Sequence, residues 1–292
     1  MASKEIRQRI EGRIAEGEWG SGTALPSEGA LAEEYGVARA TVHKALQELA
    51  RDGLIVTRPG KRAVVTRAHL PRQVRAEGGE GHPGTLEVLG RHLDRALAEG
   101  TLRVDALCVT SESLVNALET QLIGVRARRD RLREFHVRLL LCDFAATPTY
   151  PRLVVDPADR RPLDRLRRIG ANQVDALTNA ARTLWTYQLV DSEPVVEVRT
   201  VPFPPMAKLY VLNQDEVLEG WYELIEREVE VGGHNQRLLD VAGLSSRLFA
   251  RRRHPVLDNH IDSQYVDAAQ EFFDSWWGQA EPYGVSLERQ RK

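Results

Sequence analysis

Cysteine and methionine are nearly absent, two of each in 292 residues, and aromatic residues make up only 6% of the chain. Cys108 and Cys142 each lie in an apolar, strand-like run and lack the paired spacing of a disulfide framework or a zinc site, so they read as buried packing residues. No stretch of about 18 consecutive apolar residues occurs, which argues against a membrane-spanning helix. The first residues have no apolar signal-peptide core, so the expected location is the cytoplasm. Repeats of the solenoid kind are missing too. Net charge is −2, so any attraction to a polyanion has to be local. What is present, 42% hydrophobic and 28% charged residues, suffices for one small domain and one larger core.

The most informative stretch is LPSEGALAEEYGVARATVHKALQELARDGLIVTRPGKRAVV, residues 25–65. Pro26-Ser27 offers an N-cap, with Glu28 in the first turn and Leu31, Ala32 and Tyr35 on one face; Gly36 ends that helix. In the next helical pattern Val42, Ala45, Leu46 and Leu49 recur at helical spacing, which turns Arg39, Thr41, His43 and Lys44 toward or beside the open face. After Gly53, the runs 54–57 and 63–66 predict two strands joined by a turn with Arg58, Pro59, Gly60, Lys61 and Arg62. From Arg39 to Arg67, the cations Arg39, Lys44, Arg51, Arg58, Lys61, Arg62 and Arg67 stand against only Glu48 and Asp52, placing positive charge where phosphates would lie. Helix, turn, helix and basic wing form a winged helix-turn-helix.

From KEIRQRIEGRIAEG through LPSE, LA, GV-x-R-x-TV, AL-x-L and the wing, this segment resembles the N-terminal domain of the GntR family of bacterial transcription regulators. The resemblance implies that Arg39 and the start of the second helix enter the major groove, that Thr41 contacts phosphate, and that Gly60 lets the wing tip approach the minor groove. The candidate DNA-binding set is Ser27, Glu28, Arg39, Thr41, His43, Lys44, Arg58, Gly60, Lys61 and Arg62. Three positions depart from the family pattern: Ala38 replaces a capping Ser, His43 an Arg, and Gly29 a basic residue. The docking geometry is therefore expected to persist with a base preference of its own. Arg39 is the better base reader, because its fork can bind guanine O6 and N7 together, whereas a neutral His offers one donor.

The expected organisation is a winged helix-turn-helix over 1–68, a Gly/Pro-rich linker over 69–85, an α/β domain over 86–280 and a flexible tail over 281–292. Helices are expected at 86–99, 113–131, 171–189, 236–251 and 261–277. Strands are expected at 104–110, 135–144, 195–201 and 207–213 and in EVLEGWYEL and EREVEV. Such a strand-rich effector region differs from the all-helical one common in the family.

Within PPMAKLYVLNQDEVLEGWYEL, Met206, Lys208, Asn213 and Gly220 keep the spacing of the phospholipase D motif HxKxxxxD and its following glycine. The resemblance implies a degenerate, noncatalytic domain of that kind. A thioether at Met206 cannot serve as the phosphate-attacking imidazole, and Asn213 carries no negative charge. Lys208 would remain as an anion ligand, with Asn213 and with Ser111 and Ser113 of the VTSES turn beside it. An ordinary strand pair with a structural Lys208 explains the same residues.

Smaller features read blandly. His234, His254, His260, Asp258 and Asp262 lack the helical spacing of a zinc enzyme. Phe272, Phe273, Trp276 and Trp277 suit a helix packed on the domain or on a second subunit. The sum is a dimeric regulator, more readily a repressor, that binds double-stranded operator DNA under control of a small, anionic or phosphorylated effector, with no enzymatic activity, metal or cofactor. Two other classes fit less well: a DNA-targeted phosphodiesterase-like enzyme and a ligand-independent recruiting protein.

Overall fold

The computed structural model describes residues 3–15, 18–19, 23–51, 54–57, 62–65, 84–143, 150–231, 234–244, 246–256 and 260–283. Arg58, Gly60, Lys61, Asp258, almost all of the 69–85 linker and residues 284–292 lie outside them.

The N-terminal unit consists of α1 (Ser3–Ala15), α2 (Glu28–Tyr35), α3 (Arg39–Arg51), β1 (Ile55–Val56) and β2 (Val64–Val65). Ile6, Ile10 and Ile14 recur every four residues along α1 and are fully buried, so one stripe of α1 covers α3. Ser27 caps α2 by accepting from the Ala30 N–H, and Gly36 ends it at φ +63°, a left-handed conformation that favours glycine. The α3 residues Val42, Ala45, Leu46 and Leu49 are buried on Leu25, Leu31, Leu54 and Ile55. β1 and β2 pair antiparallel, and Ala24 bridges to Val64.

The larger unit is built on a seven-stranded sheet in the order β11-β8-β7-β3-β4-β6-β12. These strands are β3 (Thr101–Cys108), β4 (Glu134–Cys142), β6 (Val195–Val201), β7 (Ala207–Leu212), β8 (Glu216–Trp221), β11 (Phe249–Arg252) and β12 (Glu281–Pro282). β3, β4 and β6 run parallel, connected through α5 (Glu112–Arg128) and α6 (Arg161–Thr186), while β7, β8, β11 and β12 pair antiparallel. Alternate residues explain the layers. Leu102, Val104, Ala106 and Cys108 of β3 join a core shared with α4 (Thr85–Ala98), α5 and α6. Leu107 of the same strand joins Leu140, Val211, Val266, Phe273 and Trp277 on the face covered by α7 (Ile261–Gln279). A small sheet of β5 (Arg152–Leu153), β10 (His234–Val241) and β9 (Leu224–Val231) stands apart from the large one.

Three sequence expectations change. The helix expected over 236–251 is instead strand β10, His234–Val241, and strand β11, Phe249–Arg252. Arg237 pairs with Glu226 and Arg227 with Asp240 between β9 and β10, contacts that a local pattern cannot reveal. α6 begins at Arg161, ten residues earlier than expected, because Pro162 sits in the first turn, where its missing N–H costs nothing. The tail expected from residue 281 begins instead with β12, whose Glu281 and Pro282 pair with Thr200 and Arg199.

Candidate nucleic-acid interface

The open face of α3 is set by the burial of its opposite face, Val42, Ala45, Leu46 and Leu49. Arg39, His43, Lys44 and Gln47 are exposed, and Thr41 is half-buried at the first turn, where its N–H donates to the Ala38 carbonyl. Ser27 is spent on its capping bond. Arg62 is exposed at the foot of the wing.

Glu28 organises this face from α2. One carboxylate oxygen accepts from Arg39 Nε at 3.2 Å, and the other meets His43 Nδ1 at 2.7 Å. His43 Nε2 in turn lies 2.9 Å from the side-chain nitrogen of Gln47, one helical turn further on. The His43 hydrogen bond, then that of Arg39 against slight desolvation, holds the Glu28 carboxyl below the ordinary glutamate value. Gln47 was not among the residues expected from sequence, although the spacing Arg39, His43, Gln47 was the available signal.

A second cluster lies behind α2. The Arg13 guanidinium stacks over Trp19 at 4.1 Å and donates to Glu18 at 2.5 and 2.8 Å, to Glu34 at 2.7 Å and to the Tyr35 hydroxyl at 2.7 Å. Burial opposes the Glu18 charge, but the hydrogen bond from Arg13, then the charges of Arg13, Arg168 and Arg165, outweigh it and lower the Glu18 pKa. Arg168 stands 3.7 Å from Glu18, and Asn172 Nδ2 donates to the Glu18 carbonyl at 2.7 Å, so α6 touches the winged helix here.

In the larger unit Lys208 is fully buried on β7 and pairs in register with Gly220 of β8. Its ammonium donates to the Gly243 carbonyl, lies 3.4 Å from Ser113 Oγ and sits 5.2 Å from the centre of the Tyr222 ring. Burial lowers its pKa to about 8, against the opposing influence of Cys108 and Glu112. Gly220 has a steric reason: a Cβ there would meet the Arg247 carbonyl oxygen at 2.5 Å. Ser113 is thus beside Lys208. Ser111 is buried at φ +59° and donates to its neighbour's carbonyl at 2.6 Å.

Asn213 lies at the other end of β7, about 16 Å along the strand from Lys208. There it donates to the Thr101 carbonyl at 3.0 Å and accepts from the Arg103 N–H at 2.8 Å, stapling the β7–β8 turn to the start of β3. Met206 is 86% exposed. Cys108 and Cys142 are buried free thiols, each pushed up to about 12 by burial. Among the described residues no cluster could hold a metal ion, and no helix is long and apolar enough to cross a membrane.

Residues 2–65 match the family described as bacterial regulatory proteins, gntR family. This segment is a GntR-type helix-turn-helix domain. The chain is similar to the transcriptional regulator TreR of Bacillus subtilis, 47% identical over 62 residues that cover 21% of this chain and 24% of TreR. It is similar also to the mannosyl-D-glycerate transport/metabolism system repressor MngR of Escherichia coli, 44% identical over 52 residues, 18% of this chain and 22% of MngR. The GntR-family transcription factor YtrA from Sulfolobus acidocaldarius shares 36% identity over 25% of this chain and 78% of that one, with a TM-score of 0.22. The chain spans a quarter or less of the curated relatives it matches, 13% and 24% for the first two.

Proposed function

We propose that the protein is an operator-binding transcriptional repressor of the GntR type, acting in the cytoplasm as a homodimer whose DNA affinity follows a ligand in the α/β domain. The observation that carries this is the GntR-type segment with Arg39, His43, Lys44 and Gln47 exposed together on one face of α3. One α3 reads few base pairs, so two copies related by symmetry read a palindrome with half-sites about one helical turn, roughly 34 Å, apart. The part-buried ion cluster at Glu18 supports coupling between the units: α6 holds Glu18 through Arg168 and Asn172, and Glu18 holds Arg13, which holds Glu34 and Tyr35 of α2. Leu163 of the same α6 belongs to a buried cluster with Val109, Cys142 and Tyr150, against which Leu166 and Tyr222, the ring beside Lys208, both pack.

The ligand proposed is a small anion or phosphorylated molecule taken by Lys208 and Ser113 in a noncatalytic, phospholipase-D-like domain. Lys208 would exchange the Gly243 carbonyl for the ligand, and a ligand that favoured neither arrangement of the domains could not switch DNA binding. The exposed thioether of Met206, standing where that family has its nucleophile, supports a binding role without hydrolysis.

A genome-wide binding footprint in the native host, followed by a salt titration on the best site, tests the reading. A palindromic motif and a steep fall of affinity with salt are expected. Sequence-indifferent binding would overturn it.

A further inference from the structure

The Glu28–His43–Gln47 chain fixes more than the position of His43. An ionised carboxylate only accepts hydrogen bonds, so the 2.7 Å contact with Glu28 puts the His43 proton on Nδ1. In neutral imidazole Nε2 is then a bare acceptor, and the group 2.9 Å away must donate to it. The Gln47 amide therefore turns its nitrogen to His43. Its Oε1 takes no partner among the described residues and belongs to a side chain on the exposed face that carries Arg39 and Lys44. A free glutamine can turn its amide over and present either a donor or an acceptor. Here one orientation is selected.

We propose that Gln47 is a specificity-determining residue whose carbonyl oxygen, turned outward by the contact of its amide nitrogen with His43 Nε2, selects a base with an exocyclic amine, cytosine N4 or adenine N6, in the major groove. This rests on the reading of α3 as the groove-entering helix. Guanine O6 and thymine O4 are acceptors, so at the same place they would face the carbonyl oxygen without a proton between them. Where the GntR pattern has Arg, a donor at every pH, this chain has His43, and the reading polarity passes to the residue behind it.

The test measures affinities of the full-length protein for its footprinted site and for all single base-pair variants of that site, with Gln47→Ala, His43→Ala and the double variant in parallel. The wild type should prefer the amine-bearing base about tenfold at one position. Each single variant should lose that preference at that position alone, the double variant should lose no more than either, and all should keep the wild-type salt slope and melting temperature. Gln47→Glu keeps an outward acceptor and should retain the amine preference while binding every sequence more weakly. The proposal is overturned if Gln47→Ala leaves every position unchanged, if the two single effects add, or if Gln47→Glu inverts the preference. A wild type that discriminates among no bases would overturn the groove-entry reading as well, whereas a discriminating wild type with an indifferent Gln47 removes this inference alone.

Discussion

The charged network on α3 and the lysine inside the α/β domain are opposite solutions to carrying charge. On α3 a carboxylate, a guanidinium and an imidazole meet at 2.7–3.2 Å in contact with water, where each can exchange its partner at small cost. Lys208 has no water-facing surface and spends its charge on a carbonyl and a hydroxyl, so every change there is felt by the strands around it. The contrast separates a solvated cluster, whose partners exchange at little cost, from a buried charge whose partners can be exchanged only with movement of the strands around it.

The largest effect is expected beside the buried charge. Gly220→Ala places a methyl group 2.5 Å from the Arg247 carbonyl oxygen and 2.8 Å from Leu248, beside the turn whose Gly243 holds Lys208. Urea unfolding followed by tryptophan fluorescence should show a loss of about 3 kcal/mol in the α/β domain. The winged helix should keep its DNA affinity. An unchanged midpoint would mean that Arg247 and Leu248 are not rigid partners of β8.

Arg39→Ala acts on the other side of the comparison. It should cost about 2 kcal/mol at one base pair, read by competition between operator variants, with little effect on folding. A uniform loss over all sequences would instead make Arg39 a phosphate contact.

Proton linkage separates the two regions again. Lys208 in the folded chain titrates near 8, below its usual 10.5, so between those values the unfolded chain binds more protons and stability rises with pH. Wild-type stability minus that of Lys208→Met should therefore increase by roughly 1–2 kcal/mol from pH 8 to 9.5. Using the difference cancels the buried tyrosines and cysteines, which pull the other way in both proteins. A flat difference would place Lys208 in a wetter environment than its burial implies.

The smallest effect belongs to an exposed partner of a buried acid. Arg168 has a side chain 59% exposed and stands 3.7 Å from Glu18. Arg168→Ala should change stability by less than about 0.5 kcal/mol and operator affinity by less than twofold without added ligand. A larger loss would mean that α6 sets the pose of the winged helix even in the ligand-free protein.

These regions also differed in how much the chain disclosed beforehand. The winged helix was legible because its signals are local: Ser27 caps, Gly36 stops, and Val42, Ala45, Leu46 and Leu49 mark the buried face. Strand 195–201 was legible for the same reason. The β9–β10 pairing was not, since Leu238 and Leu239 fit a helix or a strand until Arg227 meets Asp240 across the hairpin. Pro162 and Gly170 hid the first ten residues of α6, although one lies in the first turn and the other packs in the helix interior. At the candidate sites, Lys208 and Ser113 could be named from a motif and a turn, but the separation of Asn213 follows only from strand geometry. Gln47 was hidden because its role depends on an acid from another helix.

The central claim is that this face of α3 reads sequence. A titration of the purified full-length protein on its footprinted duplex and on a shuffled duplex of the same composition, at several salt concentrations, tests it most directly. The account predicts at least about 10³-fold tighter binding to the footprinted duplex at physiological salt. Equal affinities for the two duplexes would contradict it.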